Sequence, residues 1–254
     1  MSDHDELHAI LAAPNNPLLT WNAPLSEEHA RSLVDACAVP DGGRVVDLGC
    51  GWGELLLRLV DGAPGSTGDG VEKDPVAVAR GRRLARERGL DQRVTFHEGS
   101  ADAWTETGYD LAVCIGAVHA WPGTTREALR ALRASVQPGG RVLFGDAYWI
   151  QKPTAVALKG LGDAEEDEFV GSLDDLVRAA ADAGFAPLRT TVADQREMDV
   201  FESNGRAGWG ERWALENPGH ALHAAARATA AGHREGYLGG YRGYFGFAYL
   251  VLGV

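Results

Sequence analysis

The chain is short of cysteine, of positive charge and of long apolar runs, and each shortage closes off a class of function. Its three cysteines, Cys37, Cys50 and Cys114, lie far apart and form no CxxC pair. That spacing argues against a disulfide framework or a thiolate metal centre and for buried free thiols, so no metal site is expected. Lysine and arginine number 24 against 36 acidic residues, a formal charge of −12. Nucleic-acid binding normally needs a basic patch, so a polyanionic partner is disfavoured. No apolar run approaches the ~20 residues that cross a bilayer. Residues 1–7 are acidic where a secretory leader is basic and then apolar, so the expectation is a cytoplasmic protein with no membrane partner.

What is present is an ordinary globular composition, 45% apolar and 24% charged over 254 residues. That suffices for one large core and a small second layer. The chain is organised around Val45-Val46-Asp47-Leu48-Gly49-Cys50-Gly51-Trp52-Gly53-Glu54. Short β-branched residues run into an aspartate, glycines follow at every second position, and a leucine-rich helical pattern starts at Glu54. This reads as a strand, a turn with bare backbone, and a helix whose free N–H groups face a ligand. A strand–turn–helix near the start of an α/β domain builds a nucleotide-type site at the carboxyl ends of the strands.

Around it, strand and helix patterns alternate. Ser26 reads as the cap of a leader helix that ends near Pro40, and Pro14, Pro17 and Pro24 mark the preceding segment as irregular. Thr67–Glu72 is a second strand weakened by Gly68 and Gly70. Asp74-Pro75 opens a helix that stops at Gly89, and its arginines read as a solvated face. Further strands are expected at 93–97, 109–115 and 141–145, with a helix over 126–136. This rhythm predicts parallel βαβ units. Beyond Tyr148 it changes. A capped helix at Ser172, a strand over 187–192, a glycine-interrupted helix over 197–216, an alanine-rich helix opened by Asn217-Pro218, and a terminal strand over 244–252 follow.

These residues resemble the class I S-adenosylmethionine (SAM)-dependent methyltransferases. Val45–Glu54 matches that family's first motif, an apolar pair followed by D-x-G-x-G-x-G. Glu72 ends the second strand about 20 residues on, where a ribose-binding carboxylate belongs. Glu98-Gly99-Ser100-Ala101-Asp102 resembles the adenine-binding segment, and Gln137-Pro138-Gly139-Gly140 the lead-in to the fifth strand. The resemblance covers roughly residues 30 to 150. It implies a doubly wound, seven-stranded, mostly parallel α/β sheet with the last strand antiparallel. The expected domains are an N-terminal arm or cap (1–25), a SAM-binding core (26–192), a helical insertion or cap (193–241) and a final core strand (242–254).

By the same resemblance the cofactor is SAM, leaving as S-adenosylhomocysteine. Its expected contacts are Asp47, Gly49, Cys50, Gly51, Glu72, Lys73, Ala101, Asp102, Ile115 and Gly116. The segment after the fourth strand, Ile115–Trp121, lacks the [DN]-P-P-[YF] pattern of methyltransferases that act on DNA amines, which argues against a nucleic-acid substrate, and an N-terminal arm and a helical insertion able to roof the crevice suit a small-molecule acceptor. His119 is the candidate general base, with a backbone-bonded histidine as the alternative. Trp21, His119, Asp146, Tyr148 and Trp149 are candidate acceptor contacts, and core packing is the alternative for Tyr148 and Trp149. The expected assembly is a monomer or homodimer. Two rival readings stay open: a non-catalytic SAM-binding regulator, and an NAD(P)-dependent oxidoreductase, which the glycine spacing disfavours.

Overall fold

The structure is a computed structural model that describes residues 2–122 and 125–254, with Arg206 described by its backbone alone. The strands are β1 Arg44–Leu48, β2 Thr67–Glu72, β3 Val94–Glu98, β4 Tyr109–Ile115, β5 Val136–Trp149, β6 Ala186–Val192 and β7 Phe245–Gly253. They form one sheet in the order β3-β2-β1-β4-β5-β7-β6. The pairs β1–β2, β1–β4, β2–β3 and β4–β5 are parallel, and β6–β7 is antiparallel. This is the mostly parallel, seven-stranded α/β sheet expected from the sequence. The helices are α1 Asp3–Leu11, α2 Glu27–Cys37, α3 Glu54–Asp61, α4 Pro75–Glu87, α5 Thr125–Ser135, α6 Ala155–Gly160, α7 Leu173–Asp182, α8 Gln195–Glu202, α9 Gly208–Glu216 and α10 His223–Gly236.

Local chemistry sets most of these bounds. Ser26 accepts from the His29 N–H to start α2, Asp74 accepts from Val76 ahead of α4, and Ser172 accepts from Asp175 to start α7. Gly68 and Gly70 sit in β2 because α3 lies directly against it. A Cβ at Gly68 would stand 2.8 Å from both Leu56 and Val60. α3 buries Leu55, Leu56, Leu57, Leu59 and Val60, each contributing about 1.5–3 kcal/mol on leaving water.

Three stretches differ from the sequence reading. β5 begins five residues before Arg141 and continues past Gly145 to Trp149. Its early part is held by the chain's last residue, since Gly139 N–H donates to Val254 O and Val254 N–H donates to Gly140 O. The helix expected from Pro218 starts only at His223, because the Asn217 amide donates to Trp213 O and closes α9 instead. The helix expected over 197–216 is two helices, α8 and α9, joined by a π turn at Ser203–Ala207 in which Gly205 leaves helical geometry (ψ −131°). The arginines of α4 are not all solvated either. Arg82 donates to Phe96 O, Arg88 pairs with Glu54, and Arg80 lies 4.0 Å over the Trp52 ring.

The residues group into two compact units. The larger comprises Ser26–Tyr148, Ser172–Val192 and Phe247–Val254, and carries the sheet core. The smaller comprises Met1–Leu25, Trp149–Gly171 and Ala193–Gly246. In the smaller unit Trp149, Phe169 and Phe245 meet edge to face at centroid separations of 4.9 to 5.8 Å. Residues 149–171 thus group with residues 193–246, where the sequence reading runs the core through to residue 192. Trp209 donates its indole N–H to Ile10 O, and Asn16 donates to Asn204 O, which ties the N-terminal arm into the same unit.

Within the smaller unit α6 and α10 cross at glycines. A Cβ on Gly236 would stand 2.6 Å from Gly160 O, while one on Gly232 of the same helix would meet nothing within 4 Å. Gly236→Ala is expected to destabilise the protein by about 1–3 kcal/mol through forced separation of the helices. Gly232→Ala is expected to stabilise it by about 0.5–1 kcal/mol through helix propensity. Urea denaturation of the two variants, compared with the parent, checks the opposite signs.

Candidate functional site

The site lies in the larger unit, where β1, β2, β3 and β4 end. β1 delivers Asp47 and Leu48 to the sheet's carboxyl edge in register with Gly70 and Val71 of β2. The chain then turns through Gly49, Gly51 and Gly53, all at positive φ (81°, 56° and 68°). Two of these positions are closed to any side chain. A Cβ at Gly49 would stand 2.2 Å from Ala117 Cβ, and one at Gly53 would stand 2.5 Å from the Phe96 ring. At Gly51 a Cβ would meet nothing within 4 Å, so this part of the turn presents bare backbone to open space.

The turn is fastened to the end of β2. Gly49 and Cys50 donate to Val71 O at 2.9 and 3.1 Å. Glu72 accepts from the Gly51 N–H at 3.0 Å through one carboxylate oxygen and from the Asp74 N–H at 2.9 Å through the other. Its carboxylate thus joins the loop after β1 to the loop after β2, and each oxygen keeps a lone pair for a further donor. Trp52, 2% exposed, is clamped under Arg80. The Cys50 thiol donates to Gly51 O, and burial, with the Asp47 and Glu72 carboxylates nearby, raises it and keeps it protonated.

Asp47 is the unusual member. It is 4% exposed, and no group among the described residues donates to its carboxylate. Burial, reinforced by the Glu72 carboxylate, pushes it up to about 8. A buried acid held without a donor beside a second acid is costly, and such groups cluster at functional sites. A ligand that brings a positive charge and hydroxyl donors fits this pair. Among the described residues no group of three histidine, cysteine, aspartate or glutamate side chains is placed to hold a metal.

The remaining sequence candidates are placed as follows. Lys73 is exposed at the end of β2. Ala101 is buried in a short 3-10 turn after β3, and Asp102 beside it is exposed and accepts from the Ser100 hydroxyl. Ile115 ends β4, Gly116 follows at φ 66°, and the Gly116 N–H donates to Gly145 O of β5. His119, exposed on the 3-10 turn Val118–Ala120, makes no hydrogen bond among the described residues. Asp146, 6% exposed, accepts from the Thr125 hydroxyl at 2.9 Å and from the Ala147 N–H at 2.8 Å, and burial still pushes it up to about 6. Tyr148 is 8% exposed. Trp21 and Trp149 belong to the smaller unit, where Trp149 is 2% exposed and donates its indole N–H to Glu166 O. That partner and the aromatic cluster make Trp149 a packing residue there.

Sequence reasoning missed Ala117, Arg80 and Thr125. A tryptophan inside a glycine turn must be covered by something, and that signal would have pointed to a residue of the next helix such as Arg80. Ala117 and Thr125 reach the site only through tertiary packing and carry no spacing signal.

Comparison with known proteins agrees with this geometry. Residues 45–140 match the family described as a methyltransferase domain. The chain is 32% identical over 234 residues to the uncharacterized protein YjhP of Escherichia coli, covering 90% of this chain and 92% of that one. A solved SAM-dependent methyltransferase from Geobacter sulfurreducens, in complex with S-adenosyl-L-homocysteine, is 27% identical and superposes with a TM-score of 0.85 over 96% of this chain and 97% of that one. The 27-O-demethylrifamycin SV methyltransferase of Amycolatopsis mediterranei is 28% identical over 177 residues, 63% of this chain and 62% of that one.

The Asp47 geometry has a consequence for stability. A carboxyl raised in the folded state from 3.8 to about 8 binds more protons folded than unfolded between those values. Its contribution is therefore complete below pH 4 and is lost as pH rises through about 8. Asp47→Asn removes the buried charge and keeps the shape. At pH 8.5 it is expected to be more stable than the parent by about 2 kcal/mol, with the gain shrinking toward pH 5. Urea denaturation of both proteins across that range checks the sign.

Proposed function

The chain belongs to the class I SAM-dependent methyltransferases, and from that premise we propose that it transfers a methyl group from SAM to a small-molecule nucleophile. Family membership replaces the nicotinamide reading, and the enzyme class replaces the purely regulatory one. The observation that carries the proposal is the Asp47–Glu72 pair beside an open glycine turn. Two reasons favour a small acceptor. The formal charge of −12 suits a polyanion poorly, and a relative aligned across most of this chain is named for methylating a rifamycin.

SAM, when bound, supplies an electrophilic methyl on a sulfonium. The protein's part is to hold, align and desolvate. Glu72, already fixed by two backbone donors, offers its spare lone pairs to the sugar hydroxyls. Ala101, through its N–H, and Asp102 serve the adenine. The backbone of Gly49, Cys50 and Gly51 lies against the methionine part, and Asp47 takes its ammonium group. Lys73, Ile115 and Gly116 complete the cofactor side. Asp146, held by Thr125, and Tyr148 position the acceptor. His119 takes the acceptor's proton where the nucleophile arrives protonated, its ring held by no other group among the described residues.

Incubation with methyl-labelled SAM and a panel of small alcohols, phenols, amines and thiols is expected to put label in the low-molecular-weight fraction. Label only in added protein or nucleic acid would overturn the small-acceptor reading. Because Asp47 must ionise to hold an ammonium group, SAM affinity is expected to rise on the order of tenfold from pH 6 to pH 8. In Asp47→Asn it should be weaker at pH 8 and nearly flat with pH; titration calorimetry reads both. His119→Ala is expected to lower kcat about a hundredfold while the SAM Kd stays within about twofold. Unchanged turnover would remove His119 from the chemistry.

A further inference from the structure

The smaller unit contains a cavity of about 560 Å³ that shares no residue with the cofactor site. A volume of that size suits a small organic ligand. Two π turns line it. Ser203 and Ala207 come from the turn joining α8 to α9, and Tyr237 and Leu238 from the turn Tyr237–Tyr241 that follows α10. π turns widen a helix locally and recur at functional sites.

The acids in the wall differ in how fully the protein satisfies them. Asp199 accepts both Nε and Nη2 of Arg242, at 2.8 and 2.9 Å, together with the Tyr237 hydroxyl and the Gln195 amide. Glu211 accepts from Arg234 and from Arg227. Glu202 differs. It is 7% exposed, its one hydrogen-bond partner is His233 Nε2 at 2.7 Å, and among the described residues nothing donates to its other oxygen. The wall thus carries three carboxylates against two guanidinium groups and the His233 imidazole that bonds Glu202, and Glu202 alone of these acids has an oxygen that no described residue bonds. Exposed Leu238 adds apolar surface at the wall.

We infer that this cavity binds a small organic ammonium compound, with the charged nitrogen on Glu202 and the apolar body along Ala207 and Leu238. A neutral ligand would bring no charge to the spare Glu202 oxygen, and an anion would oppose it. The inference rests on the smaller unit alone and holds whatever the methyl acceptor is.

The test is titration calorimetry of the full chain at pH 7.5 with phenethylamine hydrochloride, using 2-phenylethanol as the neutral counterpart. Saturable binding of the amine, at least tenfold tighter than the alcohol, is expected. Glu202→Gln should weaken the amine at least tenfold and leave the alcohol unchanged. Leu238→Lys, at a position 61% exposed and clear of the buried network, should weaken it several-fold, and Leu238→Glu should not. Thermal melts establish that each variant is folded, and the Leu238 pair decides the matter if Glu202→Gln is not. No saturable amine binding, equal binding of the alcohol, or indifference of the amine to both Glu202→Gln and Leu238→Lys would overturn the inference.

Discussion

The constraint on which the rest depends is the double tether at Glu72. One carboxylate, carried by the last residue of β2, holds the Gly51 N–H in one loop and the Asp74 N–H in the next. It can do so because β1 and β2 are parallel neighbours, so their carboxyl ends lie side by side, with Leu48 against Val71. Charge-assisted bonds of this kind are roughly twice as strong as neutral ones. They fix a turn that three positive-φ residues would otherwise leave loose. Crowding does the rest, since Ala117 beneath Gly49 and Phe96 beneath Gly53 leave those positions no room to move or to carry a side chain. The ligand-facing backbone is therefore organised before anything binds, which lowers the cost of binding.

The same arrangement works against stability. Holding the turn places Glu72 near Asp47, and the sheet keeps Asp47 dry. Replacing Asp47 with an apolar group would relieve the repulsion, so a stability argument alone gives no reason to keep it beside Glu72. On the proposed reading a cationic ligand does, because it converts an unfavourable pair into a binding surface. This is the usual direction of the trade between stability and activity, in which the cost sits where the function is.

Much of this was legible in the sequence because the signals were local. β2 and β4 fall at the expected residues, and the caps at Ser26, Asp74 and Ser172 act as read. Glu72 was legible for a different reason, since one βαβ crossover fixes its distance from the turn. What could not be read depended on distant partners. The start of β5 is set by Val254, more than a hundred residues away. Asn217 reads as a helix start in sequence and ends a helix in the fold, because its side chain finds Trp213 O behind it. Asp146 signalled a rim carboxylate, yet nothing local announces that Thr125 holds it. Trp149 offered equal cases for a rim wall and for packing. The indole bond to Glu166 O and the edges of Phe169 and Phe245 place it in packing.

The two units treat acidic side chains by one rule, and the exceptions are informative. Most acids in the smaller unit's helices are matched: Asp199 has four donors, and Glu211 has two guanidinium groups. In the larger unit Glu54 is likewise shared between Arg58 and Arg88. Against that background two nearly buried acids keep acceptor capacity that the chain does not fill. Among the described residues Asp47 has no donor, and Glu202 has one. A fold that spends arginines so freely on other carboxylates has the means to satisfy these two. The spare oxygens of these two acids are not themselves fully buried, so they open toward whatever lies outside the chain. On the readings proposed above, a ligand supplies the missing donor at each, which gives a reason for the chain to leave these two acids open.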